Sequence, residues 1–321
     1  MTRWAIPAFT LGANLPWLSY GGDFGANAWQ PGGGGARAEV RARLREHLDA
    51  LASGGATLVR WFLLCDGRAG LVHAADGGPA GLDAHVLPDL DAAVEELDRA
   101  VLRAIFVLFD FHWFHRARIV DGVQTGGRSA WLSDAPLRAR TFEHVLAPVL
   151  DRYGRSDTIA AWDIINEPEW VTRHGRAASW LRPVVAQRVQ SAGVSRETLR
   201  ALVGDACALI HDRTTQAVTV GSASARSLSL VAGLDLDLDL YQVHWYDRFE
   251  LRAPLDQPVA DFALDRPVLL GEFPTRGSRY SPGEILAAAR EAGYVGALGW
   301  SAAADDEASD RAALLAALPP L

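Results

Sequence analysis

Two glutamates in this chain each stand at the end of an apolar run, with a proline close behind. The segments read Trp162-Asp163-Ile164-Ile165-Asn166-Glu167-Pro168 and Leu269-Leu270-Gly271-Glu272-Phe273-Pro274. Proline has no N–H to continue a ladder, so each run stops there and leaves a carboxyl at its tip. Two carboxyls facing each other over a gap suit the cleavage of a glycosidic bond. One protonates the departing oxygen and the other attacks the anomeric carbon.

Other residues at the ends of apolar runs fit the same chemistry. A nucleophilic Glu272 must be ionised, and the Arg60 cation and the Tyr246 hydroxyl are suited to keep it so. An acid/base Glu167 must hold its proton near neutrality, which burial and a neighbouring carboxylate both promote. Asn166 can hydrogen-bond a sugar 2-hydroxyl, a contact that strengthens as positive charge develops on the ring. His244 is placed to orient Glu167, His112 to bind a sugar hydroxyl, and Trp300 to offer a flat apolar face to a pyranose. Asp163 and Glu169 flank the first motif as supporting residues. Aromatics crowd the segments that follow the runs: Trp17, Tyr20, Phe24 and Trp29, then Trp113 and Trp131, then Trp170 and Trp180. Such residues either stack on sugars or pack long loops together. Trp17, Trp113 and Trp170 are taken as substrate-binding.

These residues need a scaffold that brings distant strand ends to one rim. Short apolar runs alternate with amphipathic stretches, the pattern of parallel βα units. Strands are expected at 8–14, 56–62, 104–110, 159–165, 217–221, 240–245, 267–273 and 295–300. Helices are expected near 39–52, 90–99, 136–153, 196–212, 225–231, 282–291 and 310–317. Eight such units make a (β/α)8 TIM barrel, in which chemistry sits at the C-terminal ends of the strands. No change of composition marks a boundary, so residues 1–321 read as one barrel domain with extended βα loops. The alternating Leu234-Asp-Leu-Asp-Leu-Asp239 reads as a half-exposed strand with its aspartates toward water.

Composition removes other functions. Apolar residues make up 49% and charged residues 22%, an ordinary balance for a folded domain with a large core. A net charge of −8 disfavours nucleic acid as a partner, since a phosphate backbone calls for a basic face. No run reaches the roughly 20 apolar residues of a membrane span. The sequence contains no lysine, which excludes Schiff-base, pyridoxal phosphate and P-loop chemistry. Cys65 and Cys207 are too few and too far apart for a disulfide framework, and they read as reduced, buried thiols. Asp110, His112 and His115 invite a metal reading, as in a metal-dependent barrel hydrolase or isomerase, but no matching ligand set accompanies them. Neither a metal nor a cofactor is expected. No secretory pattern opens the sequence, and a cytoplasmic location is the expectation unless a leader has been removed.

With these residues in register, the sequence resembles glycoside hydrolase clan A, and most of all family 5, which holds cellulases and mannanases. Asn166-Glu167-Pro168 resembles that clan's acid/base motif and Gly271-Glu272-Phe273 its nucleophile segment. Arg60, His112, His244, Tyr246 and Trp300 fall where the family places its site residues, so the likeness spans nearly the whole chain. It implies a retaining β-glycoside hydrolase acting on β-1,4-linked gluco- or manno-configured oligo- or polysaccharides by double displacement. The Asp-Phe-His segment beside Trp113 inclines the expectation toward mannose. An exo-acting β-glucosidase or β-mannosidase is the alternative within enzymes, and a non-catalytic carbohydrate-binding barrel the alternative outside them. The sequence sets no oligomeric state.

Overall fold

The computed structural model describes residues 3, 4, 6, 8–172, 193–250 and 255–318. Eight parallel strands close into a barrel in chain order. They are β1 (Thr10–Asn14), β2 (Leu58–Phe62), β3 (Arg103–Asp110), β4 (Ile159–Asn166), β5 (Ala217–Ser222), β6 (Tyr241–His244), β7 (Val268–Pro274) and β8 (Gly296–Trp300). The circle closes where β1 pairs with both β2 and β8. This is the expected (β/α)8 architecture, with each expected strand present and its ends moved by a residue or two.

The helices form the outer layer for reasons visible in their sequences. In Ala38–Ser53 the buried residues Val40, Leu44, Leu48 and Leu51 recur at helical spacing and make one apolar stripe. Ser195 caps Arg196–Arg213 by accepting from the Thr198 N–H. Ser281 and Glu284 form a capping box at the start of Pro282–Glu291. Arg41, Arg45 and Arg99 converge on the buried carboxylate of Glu96 and tie the first two helices together. No described helix is long and apolar enough to cross a membrane. Cys65 and Cys207 are both buried and unpaired as thiols.

Several expectations need correction. The stretch 136–153 is not one regular helix. Ala135–Thr141 leads into a π-turn at Phe142–Leu146, followed by Ala147–Tyr153. Pro148 has no N–H to offer the preceding turn, and the wider turn just before it accommodates the missing bond. The helix expected at 225–231 is Leu228–Ala232. Residues 234–239 form no strand. Asp239, expected to face water, is buried; it accepts from the Arg3 and Val218 N–H groups and faces His211 Nε2 at 2.9 Å. Donors from neighbouring elements hold this segment, in place of a ladder. Two antiparallel hairpins that the sequence reading lacked sit on the βα loops, at Leu71–His73 with Pro79–Leu82 and at Arg118–Val120 with Val123–Thr125.

Inside the barrel the side chains form layers, as alternate strand residues point inward. Leu58, Ile105, Ala161, Leu269 and Leu298 belong to one apolar cluster near the N-terminal ends. One step along the same strands the lining turns polar, with Arg60 two residues after Leu58 and Asp163 two after Ala161, both fully buried. This second layer is the floor of the site.

Candidate active site

Arg60 is the hub of that floor. All five of its N–H groups have acceptors. Nε and Nη2 reach Asp163 Oδ2 at 3.0 and 2.9 Å, and Nη1 reaches Asn14 Oδ1 at 3.1 Å and Glu272 Oε1 at 2.7 Å. Nη2 also reaches Asn166 Oδ1 at 2.8 Å. Asp163 is held in turn by Gln242 Nε2 at 2.6 Å and by the Gly221 N–H at 3.1 Å. A guanidinium with this many fixed partners keeps its orientation.

Glu272 stands at an irregularity in β7. The register against β6 shifts between Val243 and His244, and that against β8 shifts between Leu270 and Phe273. Such a shift re-aims a side chain, and here it brings Glu272 to Arg60. Gly271 must be glycine, because a Cβ there would lie 2.4 Å from the Gln242 side chain. Both oxygens of Glu272 are engaged: Arg60 donates to Oε1 and the Tyr246 hydroxyl to Oε2 at 2.8 Å. Burial raises its pKa above the ordinary value, while the Arg60 cation pulls it back down.

Glu167 follows the last residue of β4 and adopts a left-handed backbone conformation, φ 46° and ψ 52°. That geometry is costly for a glutamate and is seen where structure over-determines it. Its own N–H donates to Gly221 O at 2.7 Å, which fixes the turn. The carboxyl lies against His244 Nδ1 through Oε1 at 2.7 Å and accepts from Trp170 Nε1 through Oε2 at 2.6 Å. Burial pushes its pKa up to about 7; Trp170 opposes the rise and the Asp110 charge adds to it. His244 is fully buried and its pKa is lowered to about 4, chiefly by burial, so the imidazole is neutral. Gly221 is the second glycine the site requires, since a Cβ would stand 2.9 Å from Arg60 Nη2 and 3.0 Å from His244 Nε2.

The two carboxyls share one gap, and burial raises the pKa of both. A donor oxygen from each of Glu167 and Glu272, together with a His244 nitrogen, falls within 4.8 Å of the others. Three such groups resemble a metal site, but the Arg60 guanidinium sits 2.7 Å from Glu272 and repels a cation there. Both carboxyls and His244 Nδ1 are already held by hydrogen bonds. Asp110 is likewise committed: it pairs with His112 Nδ1 through Oδ1 and accepts from Asn166 Nδ2 at 2.8 Å through Oδ2. Burial works against the charged form of His112, yet Asp110 and more distant carboxylates raise its pKa on balance.

Above the floor lies a cavity of about 340 Å³ bordered by both glutamates. Asn166, His112, Tyr246, Trp300, Trp17 and Trp170 also line it. Trp300 donates its indole N–H to Asp306 Oδ2 at 2.8 Å and meets Trp17 edge-on at 5.9 Å. Arg60, Asp163 and His244 act from beneath, being wholly buried. Glu169 is buried behind the turn of Glu167.

Trp113 is a correction. It is fully buried, packs edge-on against Phe109 at 4.8 Å and donates its indole N–H to Cys65 O at 2.7 Å. It supports the rim from inside the protein and meets no ligand. Trp131 and Phe24 are core residues as well. Trp29 is exposed and stands 5.4 Å from the Arg68 guanidinium. Trp180 lies outside the described residues. Sequence reasoning missed Asn14 and Gln242 in the floor, and Phe62, Phe249, Arg248 and Glu307 around the cavity. Asn14 and Gln242 had a signal: each is a polar residue in or at the end of an apolar strand.

A closed parallel barrel with paired glutamates at the C-terminal ends of its fourth and seventh strands is the architecture of the clan A glycoside hydrolases, and this chain is related to them, to family 5 in particular. Among its relatives is a mannan endo-1,4-β-mannosidase of Mytilus edulis, 25% identical over 91% of this chain and 83% of the relative. Among solved structures, an endo-1,4-β-mannanase from Eisenia fetida superposes with a TM-score of 0.78 at 21% identity, over 97% of this chain and 90% of that one. A β-1,4-D-mannanase from Cryptopygus antarcticus gives 0.78 at 20% identity, over 97% and 89%. No known family profile matches the chain.

Proposed function

We propose that this protein is a retaining β-glycoside hydrolase that cleaves β-1,4-linked manno-configured oligo- or polysaccharides. One observation carries the mechanism. Oxygens of Glu167 and Glu272 approach within 4.8 Å, while inverting enzymes hold their carboxyls roughly 6.5–9.5 Å apart to admit a water. Glu272, held by Arg60 and Tyr246, attacks the anomeric carbon and forms a glycosyl-enzyme. Glu167 gives its proton to the leaving oxygen and then takes one from the incoming water. Asn166, fixed between Arg60 and Asp110, faces the position of a sugar 2-hydroxyl. Trp300 and Trp17 border the space for the ring. The manno configuration is supported by the activity named for the relatives.

The deciding experiment sets manno- and cello-oligosaccharides and their aryl β-glycosides side by side, with chain length and anomeric form of the first product recorded. Turnover of the manno series with a β-configured first product is expected. An α-configured first product, or preference for the cello series, refutes the proposal. Internal cuts in a long mannan identify endo action, and release of single sugars from one end identifies exo action.

The pH dependence follows from the two carboxyls. Protonating Glu272 removes the nucleophile, so kcat/KM falls on the acid side at a pH above the ordinary glutamate value. Ionising Glu167 removes the acid, so kcat/KM falls again near pH 7. A bell with a mildly acidic optimum is the expected profile.

A further inference from the structure

Glu167 is gripped at both oxygens, and the two grips differ in kind. At Oε1 stands His244 Nδ1, an atom that either donates or accepts according to tautomer. At Oε2 stands Trp170 Nε1, 2.6 Å away, which only donates. A donor without acceptor capacity bonds best to an ionised carboxylate. It cannot return the favour by taking a proton.

The turn that presents Trp170 is tightly fixed. Trp170 sits on the short helix Pro168–Trp170, its N–H returning to Glu167 O at 3.2 Å. Thr172 Oγ1 donates to Pro168 O at 2.7 Å. Glu169, buried between them, accepts from the Ala223 N–H beyond β5 at 3.2 Å. On its outer side the Trp170 ring meets Phe249 edge-on at 6.2 Å. The indole thus borders the cavity while its N–H is turned to the carboxyl.

Other charged and titratable groups face Glu167 from every neighbouring element. They are Arg60 on β2, Asp110 and His112 at the end of β3, His244 on β6 with Tyr246 after it, Glu272 on β7, and Glu169 on its own turn. Asp110 and Glu169 oppose ionisation, and Arg60 and His112 favour it. All act through space except His244 and Trp170, which are the hydrogen-bond partners among the described residues.

We infer that Trp170 is a positioning residue for the acid/base: its indole N–H fixes the orientation of the Glu167 carboxyl and favours its ionised form, setting the alkaline edge of turnover. The inference rests on the reading of Glu167 as acid/base. It gives Trp170 a second task beside that of bordering the sugar site. The ionised form is the one that must accept a proton from water in the second half of the reaction, so a donor aimed at it serves that step.

The test uses two variants of the full chain. Trp170→Phe keeps an aromatic ring and removes the N–H. Replacing Trp170 by 3-benzothienylalanine keeps the bicyclic shape and puts sulfur where the N–H was, so packing is conserved even where the phenylalanine variant folds poorly. For each, kcat/KM is measured against pH on a manno-oligosaccharide, whose poor leaving group needs the Glu167 proton. Loss of a charge-assisted donor should move the alkaline limb upward by about one pH unit, with the acid limb unmoved. An alkaline limb that stays in place in the isosteric variant overturns the inference, whatever happens to the rate. A Glu167→Gln variant that retains the alkaline limb shows instead that the acid/base assignment is at fault.

Discussion

Replacing Glu272 by alanine should lower turnover by about four orders of magnitude or more, and azide should restore part of it. Loss of a nucleophile of this kind is among the largest single-residue effects in enzymes, and a factor of 10⁴ corresponds to roughly 5.5 kcal/mol of transition-state stabilisation. The alanine leaves a space beside Arg60 and Tyr246, whose N–H and O–H groups then line an anion-sized pocket. Azide entering that pocket attacks from the face the carboxylate used and gives a glycosyl azide of inverted configuration. Glu167→Gln should behave differently. It removes proton transfer, worth about 10²–10⁴, on oligosaccharides with poor leaving groups, and does much less harm on an activated aryl glycoside. Azide should then intercept the glycosyl-enzyme and yield the retained product. Equal damage on both kinds of substrate, or azide products of the same configuration from both variants, would contradict the assignment of roles.

Arg60→Met should cost both stability and activity. The guanidinium is wholly buried with all five N–H groups bonded, so methionine strands Asp163, Glu272 and Asn14 without their donor. Removing one partner of a buried ion pair costs about 3–5 kcal/mol. Denaturant unfolding monitored by tryptophan fluorescence should show a loss of that size. Activity should fall further than the unfolded fraction explains, because Glu272 loses the cation that keeps it ionised. Arg60→Lys should recover little, since one ammonium cannot span acceptors on four residues. A lysine variant of normal stability and rate would mean that charge alone, and not the fork, does the work.

The paired glutamates and Arg60 could be read from the sequence because one rule connects them: a polar residue that interrupts or ends an apolar strand of a barrel points into the interior or over the rim. The same rule selects Asn14 and Gln242, both bonded within the floor, but neither lies in a motif that draws the eye. Trp113 shows where the rule stops. It follows β3 by three residues, as a rim ligand would, yet the helical turn there swings its ring inward to Phe109. Sequence position fixes the neighbourhood of a side chain and leaves its direction to local backbone geometry. The hairpin at 118–125 carries its own turn signal. Asp121-Gly122 lies between Val120 and Val123, and both turn residues take positive φ, as a tight two-residue turn demands. Arg248, Phe249 and Glu307 border the cavity from loops that have no periodicity, and nothing in the order of their residues points to it.

The left-handed backbone at Glu167 bears on how such barrels lose their chemistry. Glycine and asparagine enter that region far more readily than glutamate does. A duplicated copy freed from selection for turnover would gain folding stability by drifting to either of them at this one place, while keeping its aromatic walls and its grip on sugar. In a barrel of this architecture, a Gly or Asn in the position of Glu167 would therefore trade the carboxyl for an unstrained turn, and the glutamate here keeps the carboxyl at the cost of that strain.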